Sequence, residues 1–550
     1  MLRIICYDGV GVVGGNKIML RDGDSALLLD FGKNFSAFCN YFDVFLQPRT
    51  NSALKDMLRL KLLPELPGIY RQDMLAIDGA FEAAKRIGVP ETARRLWESD
   101  LESFETYQER YGRPAVDGVL LSHGHSDHFQ HISFIHPDIP IYGSAVTKAI
   151  LRVCQEIGQA GVESDVLKCP ERCIGFTTDK SIFPGEPKID RPDKSRQRRY
   201  EEITPYKTLS IGGFVVEAVP VDHSVPGACS FIINCPSGKT VFYTGDIRFH
   251  GRLYEISDAL KRRVNKLKPD VVISEGTRIN SSSKDDEAKV ERDIADQVRQ
   301  SSGLAIVAFG WKDITRFETV WAAAKAAGRV FVISPKIALL WEYLHRIDPD
   351  TYPDISNDET LRVYLKRSDS MLYSKNDYKS DKYLLGVETD WGNRSNDIKK
   401  ALAEENEEYL EPRLRHYRNG IRAYDIAAEP EKYLLHIGYF DANELLDIEP
   451  PPGSMFIRAS AEPFNAEMES DEKRLENWLR QFNLLEEKQK ITHDHVSGHA
   501  GGEELRELIT SIEPRRIIPV HTEHPEAFVE AFEKQSDVIL PEKGKEICIT

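Results

Sequence analysis

Residues 123–128 read His-Gly-His-Ser-Asp-His, directly after the apolar run Gly118-Val119-Leu120-Leu121-Ser122. Imidazole nitrogen and carboxylate oxygen are the donors that borderline ions such as zinc prefer. The apolar run predicts a buried strand, which puts the donors on a loop at its end. Alternation aims His123 and His125 one way. Asp127 and His128, on the turning chain, reach a second point about 3.5–4 Å off, the spacing of two-metal sites. The bland alternative is a histidine-rich surface loop, and the rest of a ligand set elsewhere in the chain speaks against it.

Three more donors follow predicted strands. Val219-Pro220-Val221-Asp222-His223 ends on a histidine, Phe242-Tyr243-Thr244-Gly245-Asp246 on an aspartate, and Ile517-Ile518-Pro519-Val520-His521 on a histidine. A lone strand-end histidine is satisfied structurally more often than it binds metal, so the weight lies in the set. We assign His123, His125 and His223 to one ion, Asp127, His128 and His521 to another, and Asp246 to a bridge, since its two oxygens can touch both. Asp127 also counts among the catalytic groups. Two such ions activate water, hold a scissile phosphate in line and neutralise developing charge.

Metal ions do not readily protonate a leaving oxygen, so a general acid is wanted. His499 is the candidate, within His493-Asp494-His495-Val496-Ser497-Gly498-His499-Ala500-Gly501-Gly502. This Gly-rich turn precedes a predicted helix from about Glu503, whose N-terminal amides favour an anion. Glu275, after the predicted strand Val271-Val272-Ile273-Ser274, could orient His499 and hold its proton. The alternative for Glu275 is a surface or capping carboxylate.

The elements that must position these groups follow from length and patterning. A chain of 550 residues predicts two or three domains, and 41% hydrophobic with 29% charged residues describes an ordinary soluble protein. No apolar run approaches the roughly 18–20 residues of a membrane span. The first residues lack the shape of a signal peptide, and we expect a cytoplasmic protein. The eight scattered cysteines fit a reducing compartment. Cys169 and Cys173 have no second pair nearby, so a structural metal there is not expected. The net charge of −16 counts against a broad nucleic-acid footprint but leaves a local one open. The basic stretch from Lys188 to Arg199 reads as a solvated loop, with phosphate contact as the alternative.

The first 34 residues alternate short apolar runs with Gly and Asp, as hairpin strands do. Residues 50–112 are mostly helical by period, residues 146–160 read as an amphipathic helix, and 161–206 are loop-rich. After about residue 285, helix and strand alternate, which predicts an open parallel sheet. The polar stretch 350–432 reads as a mobile cap or a helical insertion. Residues 487–549 read as strand, Gly-rich loop, helix, strand.

His-x-His-x-Asp-His, then His223, then Gly245-Asp246, resembles the metallo-β-lactamase superfamily. Glu275, the segment Ser497-Gly498-His499-Ala500 and Pro519-Val520-His521 resemble motifs A, B and C of its β-CASP branch of nucleases. His495-Val496-Ser497-Gly498-His499-Ala500 and the opening Gly9-Val10-Gly11-Val12-Val13-Gly14-Gly15-Asn16-Lys17 are most similar to the ribonuclease J group. The resemblance implies an α/β fold: an αββα sandwich interrupted by a β-CASP domain. The divisions would be residues 1–290, 291–485 and 486–550. It implies two zinc ions per chain, with manganese as the alternative, and a metal-dependent ribonuclease acting on single-stranded RNA. It implies 5′-to-3′ exonuclease action, with endonuclease action as a second mode, in RNA processing or decay. His at motif C favours RNA over DNA. His495 and Ser497 would hold the RNA backbone or a 5′-monophosphate, and Arg316, in Lys312-Asp313-Ile314-Thr315-Arg316, would bind phosphate.

Two features depart from the family pattern. Only 29 residues (522–550) follow His521, so the extra C-terminal domain of typical members is not expected and a homodimer is left open. The long segment between Phe31 and Asp117 could reshape the substrate entrance. Competing functions are a DNA nuclease of the same branch, a small-molecule metallo-hydrolase cleaving a lactone or thioester, and a non-catalytic RNA-binding subunit.

Overall fold

The computed structural model describes residues 1–43, 45–157, 161–177, 185–191, 195–282, 286–355, 358–367, 420–463 and 466–550. Most of the stretch expected to be a cap lies outside the described residues. None of the described helices is long and apolar enough to cross a membrane.

The N-terminal strand Leu2–Asp8 buries every second side chain, Leu2, Ile4, Cys6 and Asp8. That period fixes which face looks inward. It pairs antiparallel with Lys17–Asp22, which pairs antiparallel with Ser25–Leu29. Gly118–Leu120, Ile141–Gly143 and Tyr200–Glu202 then add in parallel, and Glu546–Ile549 closes the other edge. A second seven-stranded sheet runs antiparallel from Thr208–Ile211 through Phe214–Pro220 and Cys229–Asn234 to Thr240–Tyr243. It continues in parallel through Val271–Glu275, Arg516–Val520 and Asp537–Val538.

The two sheets face each other across one apolar layer that includes Ile4, Leu27, Leu29 and Leu120 from the first and Phe214, Phe231, Val241 and Ile273 from the second. The opposite face of the first sheet, with Leu28, Val119 and Leu121, packs on the short helices of residues 53–111 and on Ile132, Phe134 and Ile135. The outer face of the second sheet, with Val272 and Ile517, is covered by Tyr254–Val264, Gly502–Ile512 and Glu526–Phe532. This is the αββα arrangement. A third sheet of six parallel strands orders as Gly420–Ile421, Leu361–Tyr364, Val330–Ile333, Tyr433–His436, Ala305–Ala308 and Met455–Arg458. Its strands are apolar on both faces, as a parallel sheet covered on both sides requires.

The basic stretch 188–199 departs from the solvated loop expected. Pro187–Asp190 pairs with Cys173–Phe176, and Ser195–Gln197 with Lys168–Pro170. Arg198 is buried, and its guanidinium donates to the carbonyls of Val166, His136, Ile132 and Ile135. It ties three segments together and is not offered to a phosphate. Cys169 is buried, Cys173 is exposed, and neither joins a group of potential metal ligands among the described residues.

Candidate metal centre

Every donor of the sequence-predicted set leaves a strand end on the same side of the sandwich. His123 follows Gly118–Leu120, and His125 precedes the short helix Ser126–Phe129, which carries Asp127 and His128. His223 follows Phe214–Pro220, Asp246 follows Thr240–Tyr243, and His521 follows Arg516–Val520. The structure brings together His123, His125, His223 and Asp246 in one group and Asp127, His128 and His521 in another, the donor atoms of each group lying within 4.8 Å of one another.

The donor spacing fits metal ions. Bonds of about 2.0–2.1 Å in a tetrahedron put ligand atoms about 3.3 Å apart. His125 Nδ1 lies 3.1 Å from His123 Nε2 and 3.0 Å from His223 Nε2. His521 Nε2 lies 3.2 Å from Asp127 Oδ2, and His128 Nε2 lies 3.6 Å from it. Asp246 Oδ2 stands 3.1 Å from His128 Nε2, 3.5 Å from His521 Nε2 and 3.6 Å from His123 Nε2, so it touches both groups. Asp246 Oδ1 and His128 Nε2 are buried without a hydrogen-bond partner, a costly state that a cation would relieve.

The far side of each ring explains why these lone pairs face inward. His128 Nδ1 donates to Asp30 Oδ2 (2.8 Å), and His223 Nδ1 donates to the Gly498 carbonyl (2.5 Å). Ser122 Oγ donates to Asp30 Oδ2 (2.8 Å) and so accepts from His123 Nδ1 (3.0 Å). Thr277 Oγ1 donates to the His521 carbonyl (3.2 Å) and accepts from His521 Nδ1 (2.8 Å). A proton fixed on Nδ1 leaves the Nε2 lone pair for a metal. Asp30, Ser122 and Thr277 were not singled out from the sequence. The only sequence signal for Asp30 is a carboxylate closing the wholly apolar run Ala26-Leu27-Leu28-Leu29.

The electrostatics agree. Burial pushes the pKa of His123 and His223 well down and that of His125 down to about 3, so these rings are neutral, as ligands must be. Burial also opposes charge on His128, but the carboxylates of Asp246, Asp127 and Asp30 override it and hold its pKa well above the usual value. Three carboxylates converging on one buried point favour positive charge there. Two glycines keep the loop in place: a Cβ on Gly32 would lie 1.5 Å from the Asp127 carbonyl oxygen, and Gly14, at φ +81°, would meet the Asp127 carboxylate at 2.6 Å.

His499 sits beside this cluster. Its Nδ1 lies 3.1 Å from Glu275 Oε2 and 3.9 Å from Asp246 Oδ2, and about 19% of its side chain is exposed. Burial disfavours its charge, yet the Glu275 carboxylate more than compensates, and its pKa is pushed up to about 9. Glu275 is the last residue of its strand and is buried, not a surface carboxylate. The backbone N–H groups of Ile247 (3.1 Å) and Thr277 (3.2 Å) fix it. His499 also comes within ligand range of Asp246 and His521, but the nitrogen near Asp246 is the one Glu275 engages.

Ser497 Oγ accepts from the His499 N–H (3.1 Å). His495 Nδ1 is buried without a partner. Burial first, then Arg316, Arg248 and Arg278, push its pKa down to about 2. Arg316 Nε and Nη2 meet both oxygens of Glu287 at 2.7 and 3.0 Å, and Nη1 donates to the carbonyls of Ala459 and Asp494. Arg316 is buried and its fork is engaged in holding the segment that leads to His495. The cation that reaches the metal loop is Lys312, whose Nζ donates to the Gly124 carbonyl and to Ser126 Oγ, both at 3.3 Å.

Residues 101–294 match the beta-lactamase superfamily domain, and residues 489–541 match the Zn-dependent metallo-hydrolase RNA specificity domain. The chain thus carries a beta-lactamase superfamily domain, and its similarity runs to the ribonucleases J. Ribonuclease J of Pyrococcus abyssi is 23% identical over 79% of this chain and 80% of its own length. The probable RNase MJ4 of Methanocaldococcus jannaschii is 22% identical over 79% of this chain and 89% of its own. Ribonuclease J of Mycolicibacterium smegmatis is 25% identical over 39% of this chain, and the match spans only 33% of that protein. A solved protein of unknown function from Enterococcus faecalis V583 shares the fold over 99% of both chains, with a TM-score of 0.64 and 19% identity.

Proposed function

We propose that this chain is a zinc-dependent ribonuclease that hydrolyses RNA phosphodiester bonds, from the 5′ end as an exonuclease and, as a second mode, internally. One observation carries the reading: seven metal donors converge with a protonatable histidine, His499, that is held by a buried carboxylate beside them. The match of residues 489–541 to a domain described by RNA specificity supports RNA as the substrate.

His123, His125, His223 and Asp246 would hold one zinc ion, and Asp127, His128, His521 and the same Asp246 a second, with manganese as the alternative. Two divalent ions so placed lower the pKa of water and neutralise charge on a phosphodiester. His499 gives its proton to the leaving oxygen, and Glu275 keeps that proton on the ring until it is needed. His495 and Ser497 hold the RNA backbone or its 5′-monophosphate. We take the RNA substrate to be single-stranded. Residues 1–290 and 486–550 form the metallo-β-lactamase unit and 291–485 the β-CASP unit.

The test is cleavage of a short RNA labelled at its 3′ end and carrying a 5′-monophosphate, 5′-triphosphate or 5′-hydroxyl. Zinc and manganese are tried separately, with the same sequence in DNA as a control. Progressive shortening of the 5′-monophosphate RNA alone is the expected result. Internal cuts indifferent to the 5′ group would make the enzyme an endonuclease and remove the role of His495 and Ser497. DNA cleavage without RNA cleavage would overturn the reading.

A further inference from the structure

A cavity lies outside the metal centre and shares no residue with it. Its volume is about 380 Å³, within the range of small-molecule sites, and its walls include Arg71, Arg172, Arg196 and His136. It is built in the helical layer on the outer face of the first sheet, where Tyr70 bridges to Ile135. Arg196 stands on the ladder of Lys168–Pro170 with Ser195–Gln197, and Arg172 directly precedes the strand Cys173–Phe176.

The arginines here are buried and incompletely satisfied. Arg71 is 1% exposed and Arg172 5% exposed. Arg71 Nη1 and Arg172 Nε and Nη1 are buried without a hydrogen-bond partner. Of the four carboxylates of the wall, Asp78 is the one with no partner given by the geometry among the described residues, whereas Asp73, Glu105 and Glu171 are engaged, and Asp73 Oδ2 also lies 3.8 Å from Arg172 Nη1. Asp73 accepts from Arg71 Nε (2.9 Å) and Nη2 (2.7 Å) and from the Arg172 backbone N–H (2.8 Å). Glu105 pairs with His136 (3.3 Å) and Glu171 with Arg196 (3.4 Å). Burial, with Arg191 and Arg71 close by, pushes the Arg172 pKa down to about 10. Buried guanidinium N–H groups without acceptors are costly, and an oxyanion satisfies several at once.

We propose that this cavity is an anion site that takes the phosphate group of a small phosphomonoester. Several free donor edges suit a tetrahedral anion with three terminal oxygens. The volume exceeds a bare ion, and Ala76, Ile77 and Pro137 give the wall an apolar part for an organic group. The inference is independent of RNA cleavage.

Calorimetric titration of the metal-loaded full chain tests it, with inorganic phosphate, adenosine 5′-monophosphate and adenosine as probes. Two phosphate sites are expected. Asp246→Asn removes the one at the metal centre, and Arg172→Gln weakens the other at least tenfold while leaving RNA cleavage unchanged. Adenosine 5′-monophosphate binding at least tenfold tighter than phosphate marks an organic phosphate as the ligand, and equal affinities mark inorganic phosphate. Asp165, whose Oδ2 is buried and unpartnered beside these arginines, gives a second variant: Asp165→Asn tightens the same site at least threefold, a gain that misfolding does not produce. Phosphate binding unaltered by Arg172→Gln, or weakened by Asp165→Asn, overturns the proposal.

Discussion

Asp246 is the residue on which both donor groups depend, because its Oδ2 lies within 4 Å of four histidines of the set: His123, His128, His223 and His521. Asp246→Ala is expected to bring RNA cleavage to background and to lower bound metal, read by elemental analysis of the purified protein. His499 plays a different part. His499→Ala should slow cleavage by about 10²–10⁴-fold, the usual contribution of a general acid, with metal content unchanged. Loss of metal in that variant would mean that His499 is a ligand. Glu275→Gln should reproduce most of the loss, since a neutral amide no longer holds the imidazolium. His123, His223, Asp246 and His521 were legible in the sequence because each follows an apolar run, and His125, Asp127 and His128 because they crowd into the six residues that begin at His123. Asp30 and Thr277 were not, because their roles exist only once His128 and His521 arrive from 98 and 244 residues away.

At the scale of elements, the metal loop is held by backbone contact as much as by side chains. The Gly15 N–H donates to the Asp127 carbonyl, and the Phe31 N–H to the His128 carbonyl. Gly32 lies against the same turn with no room for a Cβ. Gly32→Ala should therefore displace the helix Ser126–Phe129, cost about 3 kcal/mol as overpacking does, and release metal from the group of Asp127, His128 and His521. Melting temperature and metal stoichiometry read the two effects, and a stable, fully loaded variant would refute the packing argument. The strands were readable from their apolar period, as with Leu2–Asp8 and Val271–Glu275. The stretch 188–199 was not, because an arginine looks solvent-bound in any local window. The carbonyls that bury Arg198 come from Ile132, Ile135, His136 and Val166.

At the scale of the whole molecule, the sandwich and the third sheet meet through buried charge. Arg316 and Glu287 form a bidentate pair that also grips the carbonyls of Ala459 and Asp494, and so ties the third sheet to the segment bearing His495 and His499. Arg316→Met leaves Glu287 buried and unpaired, which costs about 3–5 kcal/mol. The expected result is a lower melting temperature and slower cleavage of 5′-monophosphate RNA with its KM unchanged. A raised KM at an unchanged melting temperature would mark Arg316 as a phosphate ligand. Chelation should also lower the melting temperature, since an ion at a hundredfold excess over its Kd stabilises the folded chain by about 2.7 kcal/mol. The order of donors along the chain adds a matter of timing. His123, His125, Asp127, His128, His223 and Asp246 all leave the ribosome before the third sheet is made, and His521 only after it. During synthesis the second donor group thus stays one imidazole short while the rest of the molecule folds. That group is complete only once the strand Arg516–Val520 slots in next to Val271–Glu275.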